Sequence, residues 1–163
     1  MNPTFANRVI RPAAAGGMLA CALAIPALQA VAAAPGAEPA LVRLASDAGL
    51  QWGACPDFLP PGCGIAVLHG DPAQPNVDIF LRVPAHSDIA PHTHTSAERM
   101  VLVAGEMQVS YEGQPTATLT TGAYAYGPAG RPHSARCVSD VPCVLFIAFE
   151  SALDAIPVGN AAN

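Results

Sequence analysis

The sequence predicts an all-β domain, either a sandwich or a closed barrel. Three observations predict it. After residue 50 the apolar residues fall in short runs, and Gly and Pro (14 and 17 of them in 163 residues) stand between those runs. Both residues interrupt regular structure, and a β domain with many turns needs such punctuation. No stretch after residue 50 shows a helical apolar period of convincing length. The chain length suits one domain with a real core rather than two.

The elements follow in order. Residues 34–50 read as a linker or a loosely packed N-terminal arm, and residues 51–150 as the barrel. Ile65–Leu68 is apolar and bounded by Gly64 and Gly70-Asp71-Pro72. Val77–Val83 alternates roughly, with β-branched and aromatic residues. Arg99–Ala104 ends at Gly105, Met107–Tyr111 at Glu112-Gly113, and Thr116–Leu119 before Thr121-Gly122. Ala123–Tyr126 runs into Gly127-Pro128-Ala129-Gly130, and His133–Val138 and Cys143–Phe149 read as a closing hairpin. These runs at regular spacing are the signature of a sandwich or barrel. Residues 151–163 read as a poorly ordered C-terminal tail.

Residues 1–33 carry a different signal. Arg8 and Arg11 precede an uncharged run from Pro12 to Ala37, most hydrophobic over Met18–Ala24 and rich in Ala beyond it. A basic start, an apolar middle and small residues at a cut describe a secretory signal peptide, with cleavage expected after Ala32 or Ala33. The competing reading is an uncleaved membrane anchor, but Pro26, Gln29 and the weakly hydrophobic Ala-rich end count against a spanning helix. A lipoprotein signal at Cys21 is weaker, and the separated arginines do not support a twin-arginine signal. The expected location is therefore periplasmic or secreted, with no membrane attachment after cleavage.

Charge narrows the partners. The full chain has no lysine and a formal charge of −5; without residues 1–33 it keeps five arginines against 12 acidic residues, or −7. Nucleic-acid binding needs cations facing phosphates, so that class is excluded in favour of a small molecule.

Beyond Cys21 four cysteines remain, Cys55, Cys63, Cys137 and Cys143. An even number in an exported chain points to disulfides, and the favoured pairs are Cys55–Cys63 and Cys137–Cys143. The first pair would close a Pro-rich loop, the second the turn of the last hairpin. A cysteine metal site is the rival, but the spacings are wider than those of zinc fingers. Free thiols are the remaining alternative.

The chemistry is concentrated in His92-Thr93-His94 and Glu98. Residues two apart on a strand face the same way, so both imidazoles can enter a barrel. Glu98, Met100, Leu102 and Ala104 share one strand face, where a lone carboxylate is costly unless a cation meets it. Two imidazoles and a carboxylate are suitable ligands for such a cation. His69 and His86 read as surface or turn histidines.

The stretch His92-x-His94-x3-Glu98-x6-Gly105 resembles the first motif of the cupin superfamily, and Gly122-x5-Pro128-x-Gly130-x2-His133 resembles the second. Two departures are visible. His86 stands where the first motif usually opens with Gly, and Cys137 stands where the second usually closes with Asn. His86 would carry backbone strain if that position needs a positive φ. The motifs and their spacer cover the 52 residues from His86 to Cys137.

The resemblance implies a double-stranded β-helix, or jelly-roll, barrel. It also implies one divalent transition-metal ion held by His92, His94, Glu98 and His133, of which Mn, Fe, Ni, Cu and Zn all suit the ligands. The activity implied is that of a metal-dependent oxidoreductase or lyase acting on a small molecule, with dioxygenase- or decarboxylase-like chemistry. The alternatives are a non-catalytic metal-binding or sensing module and a metal-free scaffold. Homodimerisation through an outer barrel face is common in such folds. Tyr124, Tyr126 and Arg131 are the candidates for catalytic side chains beside the metal. Trp52, Phe58 and the prolines near them form an apolar patch expected at a barrel end or a subunit contact.

Overall fold

The computed structural model describes residues 38–159. The signal segment assigned to residues 1–33 lies outside the described residues.

Among the described residues, eleven strands form two antiparallel sheets: β1 (Gly53–Ala54), β2 (Gly64–His69), β3 (Val77–Val83), β4 (Asp88–Thr93), β5 (Glu98–Ala104), β6 (Glu106–Tyr111), β7 (Ala117–Thr120), β8 (Tyr124–Gly127), β9 (His133–Cys137), β10 (Cys143–Phe149) and β11 (Ile156–Pro157). The six-stranded sheet runs β1-β2-β3-β10-β5-β8 and the five-stranded sheet β11-β4-β9-β6-β7. All-antiparallel strands exchanged between two facing sheets make the jelly-roll arrangement. No helix among the described residues is long and apolar enough to cross a membrane.

The core fills the space between the sheets. Val77, Ile79 and Val83 of β3, Leu102 of β5, Met107 of β6 and Phe149 of β10 are almost fully buried. Each belongs to the inward half of an alternating strand, which is how a period of two separates core from surface. A smaller cluster lies elsewhere: Ala66, Phe80 and Val144, with Ala45, Leu50 and Trp52 packed against it. Arg82 places its guanidinium 4.2 Å from the Trp52 ring centre. Part of the N-terminal arm therefore packs against the protein, and Trp52 packs in a different cluster from Phe58, with which the sequence had grouped it.

Three sequence expectations need correction. First, β4 is a full strand that apolar patterning does not show. Pro91 and the polar Asp88, His92 and Thr93 obscure it, and Pro91 falls where the β4–β9 register shifts, a place that tolerates proline. Second, β9 and β10 are not a hairpin. β9 pairs with β4 and β6, whereas β10 pairs with β3 and β5, so the turn between them crosses from one sheet to the other. Third, residues 151–159 of the expected tail are ordered, and residues 160–163 lie outside the described residues: β11 pairs with β4 at Ile156↔Thr93 and Pro157↔His92. Leu153 N–H also donates to the Pro72 carbonyl at 2.8 Å.

Cys55–Cys63 and Cys137–Cys143 both lie at disulfide distance, each with Cα atoms 5.7 Å apart. The second bridge ties the two sheets together at the β9–β10 crossover, and both its cysteines are fully buried. Two such pairs fit an oxidising compartment. His86 adopts φ +56°, the left-handed conformation that the family's usual glycine accommodates, and its Nε2 lies 2.9 Å from Asp140 Oδ1 at the exposed surface.

Candidate metal centre

Strand register assembles the site. Across the five-stranded sheet, His92 of β4 is opposite His133 of β9, and His133 is opposite Tyr111 of β6. Three side chains thus form one transverse row. Glu98 reaches the same spot from the facing sheet, where it begins β5 between Phe149 of β10 and Gly127 of β8. His94 follows β4 by one residue and keeps the inward phase of His92, so both rings are buried.

The geometry is that of a ligand set. Ligand nitrogens of His92, His94 and His133 all lie within 4.8 Å of one another. The Glu98 carboxylate lies beside two of them, with Oε1 3.2 Å from His94 Nε2 and Oε2 3.5 Å from His133 Nε2. It is 3% exposed.

The outer nitrogen of every ring is already engaged. His92 Nδ1 donates to the Ala90 carbonyl at 2.8 Å, His133 Nδ1 to the Arg131 carbonyl at 3.1 Å, and His94 Nδ1 to the Asp154 carbonyl. A carbonyl only accepts, so each Nδ1 carries the proton and each Nε2 keeps a lone pair. This backbone support orients imidazoles for a metal and fixes the required tautomer.

Burial sets the charge states. It lowers the His92 pKa to about 4, with His133 adding to the effect, and lowers His94 and His133 as well. Burial likewise raises the Glu98 carboxyl to about 8. Three neutral imidazoles and a carboxylate whose charge needs a counter-ion fit a divalent cation. The donor set, nitrogen-rich with one oxygen, favours a transition metal over calcium or magnesium.

The C-terminal segment belongs to the site. Besides its carbonyl bond to His94, Asp154 accepts the Thr95 N–H through Oδ1 at 2.8 Å. Buried Ser96 accepts the N–H groups of Glu150 and Ser151 at 2.8 and 3.0 Å. The turn that carries His94 toward Glu98 is therefore clasped by Glu150 and by Ser151 and Asp154, the latter two from the segment that the sequence assigned to a tail.

Of the three candidate catalytic side chains, none enters the cavity. Tyr124 and Tyr126 are 62% and 52% exposed. They oppose Val101 and Arg99, whose side chains are on the outer face of β5, while Ala125 opposes the buried Met100. On β8 the small residues Ala125 and Gly127 face inward, and at Gly127 an added Cβ would crowd Glu98, Met100 and Tyr111. Arg131 lends its backbone carbonyl to His133, but its guanidinium turns away and donates to the Glu112 carbonyl at 3.1 Å.

The residue that sequence reasoning missed is Tyr111. It lines the cavity, its ring centre is 5.2 Å from that of His133, and its hydroxyl is buried. Burial and the neighbouring Glu98 push that hydroxyl up to about 12, so it is a proton donor at any ordinary pH. Its place at the end of an apolar run gave no signal; only the cross-strand pairing with His133 places it here.

The cavity has a volume of about 290 Å³. The metal-ligating candidates occupy one part of it, and aliphatic side chains from both sheets form much of the wall. Pro56 and Leu59 of the disulfide-closed loop also line it, as do Leu153–Ala155. Phe58 of that loop stands 5.9 Å from the His92 ring.

Comparison with known proteins agrees with this architecture. Residues 79–149 match the family model described as a cupin domain. The fold is similar to that of the DMSP lyase DddQ from Ruegeria pomeroyi DSS-3 (21% identity, TM-score 0.59), over 70% of this chain and 64% of that one. It is also similar to the polyketide cyclase RemF from Streptomyces resistomycificus (16% identity, TM-score 0.60), over 74% of this chain and 88% of that one. An RmlC-like cupin from Shewanella frigidimarina NCIMB 400 shares 18% identity with a TM-score of 0.53, over 64% and 86% of the two chains. The chain thus spans just under two thirds of the DMSP lyase's length. No curated protein matches the sequence. The jelly-roll strands, both histidine-bearing motifs and the family match lead to one conclusion: this chain carries a cupin domain over residues 79–149.

Proposed function

We propose that this protein is an exported, metal-dependent cupin enzyme acting on a small organic molecule. The observation that carries the reading is the convergence of three Nε2 lone pairs and the Glu98 carboxylate at the edge of a cavity of about 290 Å³. A purely structural metal site needs the ligands but not the adjoining space. When bound, Mn, Fe, Ni, Cu or Zn would supply Lewis acidity toward an oxygen of the substrate, and a redox metal could also activate dioxygen.

The chain's own residues supply the remainder. His92, His94 and His133 hold fixed tautomers on backbone carbonyls, so little reorganisation accompanies metal binding. Glu98 offsets cationic charge. Aliphatic walls exclude water from the reacting groups. Chemistry of the lyase or decarboxylase kind, or dioxygenation, fits such a site, and the fold neighbours named as a lyase and a cyclase support small-molecule turnover. Export is supported by the signal-like residues 1–33 and by the two cysteine pairs.

Metal analysis of tag-free protein, purified without chelators, tests the first step. The expected result is about one equivalent of a first-row divalent metal, lost in His92→Ala. The metal-loaded protein is then screened by mass spectrometry against oxidisable and carboxylated compounds. Turnover no greater than that of His92→Ala across the whole screen counts against the enzymatic reading.

A further inference from the structure

We infer that the cavity takes a molecule with a hydrocarbon body and a single oxygen head group (a carbonyl, enol or phenol) that accepts a hydrogen bond from Tyr111. This deepens the enzymatic reading and rests on it for the role of the metal, but the observations are separate.

The first observation concerns the wall. Ile65, Ile79 and Leu81 from one flank of the six-stranded sheet line the cavity, and so do Leu145 and Ile147 of β10. Met107, Val109 and Leu119 line it from the other sheet. No arginine lines it, and the chain contains no lysine. The charged residues that line it are both acidic, Glu98 and Asp154, and the Asp154 carboxylate already accepts the Thr95 N–H. A polyanion would find no cation other than the metal, and a polyol would leave hydroxyls unpaired against aliphatic carbon, which is costly for each one. A hydrocarbon body meets neither penalty.

The second observation concerns the polar end. Among the described residues, the Tyr111 hydroxyl is the one buried side-chain oxygen or nitrogen without a hydrogen-bond partner. Buried hydroxyls are ordinarily paired, so an unpaired one lining a cavity marks the place of a ligand atom. Gly127 makes room for both groups: an added Cβ would stand 3.2 Å from Tyr111 Oη and 3.0 Å from Glu98 Oε2, so the hydroxyl and the carboxylate approach the same point on β8. A head-group oxygen beside the metal ligands can accept from Tyr111 while the body extends along the aliphatic wall. Tyr111 therefore positions the ligand and discriminates by head group.

The test uses 2-naphthol and naphthalene, which differ by one hydroxyl, in fluorescence titrations of the full mature chain. Zinc-loaded and chelator-treated samples are titrated in parallel, with metal content measured by mass spectrometry. The expected result is that both probes bind, 2-naphthol the tighter. Tyr111→Phe is expected to reduce the preference for 2-naphthol by about fivefold, the size of one net hydrogen bond, while naphthalene affinity changes less than about twofold. An unchanged preference in Tyr111→Phe overturns the proposal. So does failure of both probes to bind, or displacement of 2-naphthol by an equal concentration of succinate. Protein that binds 2-naphthol but holds no zinc ends the metal-enzyme reading and leaves this one intact. Protein that holds zinc but binds neither probe does the reverse.

Discussion

Gly127 and Glu98 are cross-strand partners on β8 and β5, and the glycine's missing side chain leaves the space that the carboxylate occupies. An added Cβ would lie 3.0 Å from Oε2, closer than such contacts normally fall, and Gly127 is not among the residues with positive φ. Gly127→Ala should therefore act through contact rather than backbone strain. The expected outcome is a folded protein whose metal affinity falls by about tenfold as Glu98 shifts. Competition against a chelator of known affinity measures it; unchanged affinity would show that Glu98 is not a ligand or is free to move.

The C-terminal segment should matter for the metal as well as for stability. Removing residues 151–163 deletes the carbonyl that fixes His94 Nδ1 and the Asp154 carboxylate that caps Thr95. Loss of such support for a metal-bound histidine typically costs 10–100-fold in affinity. Asp154→Ala keeps the carbonyl and should cost much less. Equal losses in the two variants, measured by the same competition, would assign the effect to the Asp154 side chain instead.

Stability of the metal-free protein should peak near pH 6.5. His92 falls from 6.5 to about 4 on folding, and His94 and His133 also fall. As pH drops below 6.5 the unfolded imidazoles bind protons that the folded ones refuse, so acid destabilises. Glu98 moves the other way, from 4.5 to about 8, so between these values the folded state keeps a proton that the unfolded state releases. Rising pH therefore removes the stability that the protonated carboxyl allows. Three histidines outweigh one carboxyl below pH 6.5, and above it Glu98 acts alone. Thermal unfolding of chelator-treated protein should show a lower Tm at pH 8 than at pH 6.5. Glu98→Gln or a bound divalent metal should abolish that decline. A Tm that rises steadily to pH 8 contradicts the assignment.

The two disulfides should contribute comparably. They close loops with sequence separations of 8 and 6 residues, which in the chain-entropy account corresponds to about 2 kcal/mol each. Their effects on the site should differ. Replacing Cys55 and Cys63 by serine frees the loop whose Pro56 and Leu59 line the cavity, so binding of an apolar probe should weaken more than stability alone explains. Replacing Cys137 and Cys143 loosens the sheet crossover and should lower Tm with less effect on the probe. Denaturant titration beside probe titration separates the two.

Much of this protein was legible in the chain. The short apolar runs bounded by Gly and Pro located most of the strands, because a period of two and turn chemistry are local properties. The spacing of His92 and His94 put both imidazoles on one face, since residues two apart on a strand must share it, and the motif resemblance added Glu98 and His133; the three imidazoles lie close together, with Glu98 beside two of them. The short separations within Cys55–Cys63 and Cys137–Cys143 made both pairings reachable.

What the sequence could not decide depends on which strands lie beside which. Pairing across β4, β9 and β6 put Tyr111 next to His133, and no local pattern encodes that neighbour. The inward phase of β8 went to Ala125 and Gly127 rather than to the tyrosines, as its register with β5 sets Ala125 opposite Met100 and Gly127 opposite Glu98. The weakly patterned residues 151–159 are held by long-range bonds to β4, to Pro72 and to the turn that carries His94. Local chemistry chose the ligands and the turns; long-range hydrogen-bond register, whose contacts exist only after the chain has closed on itself, chose what surrounds them.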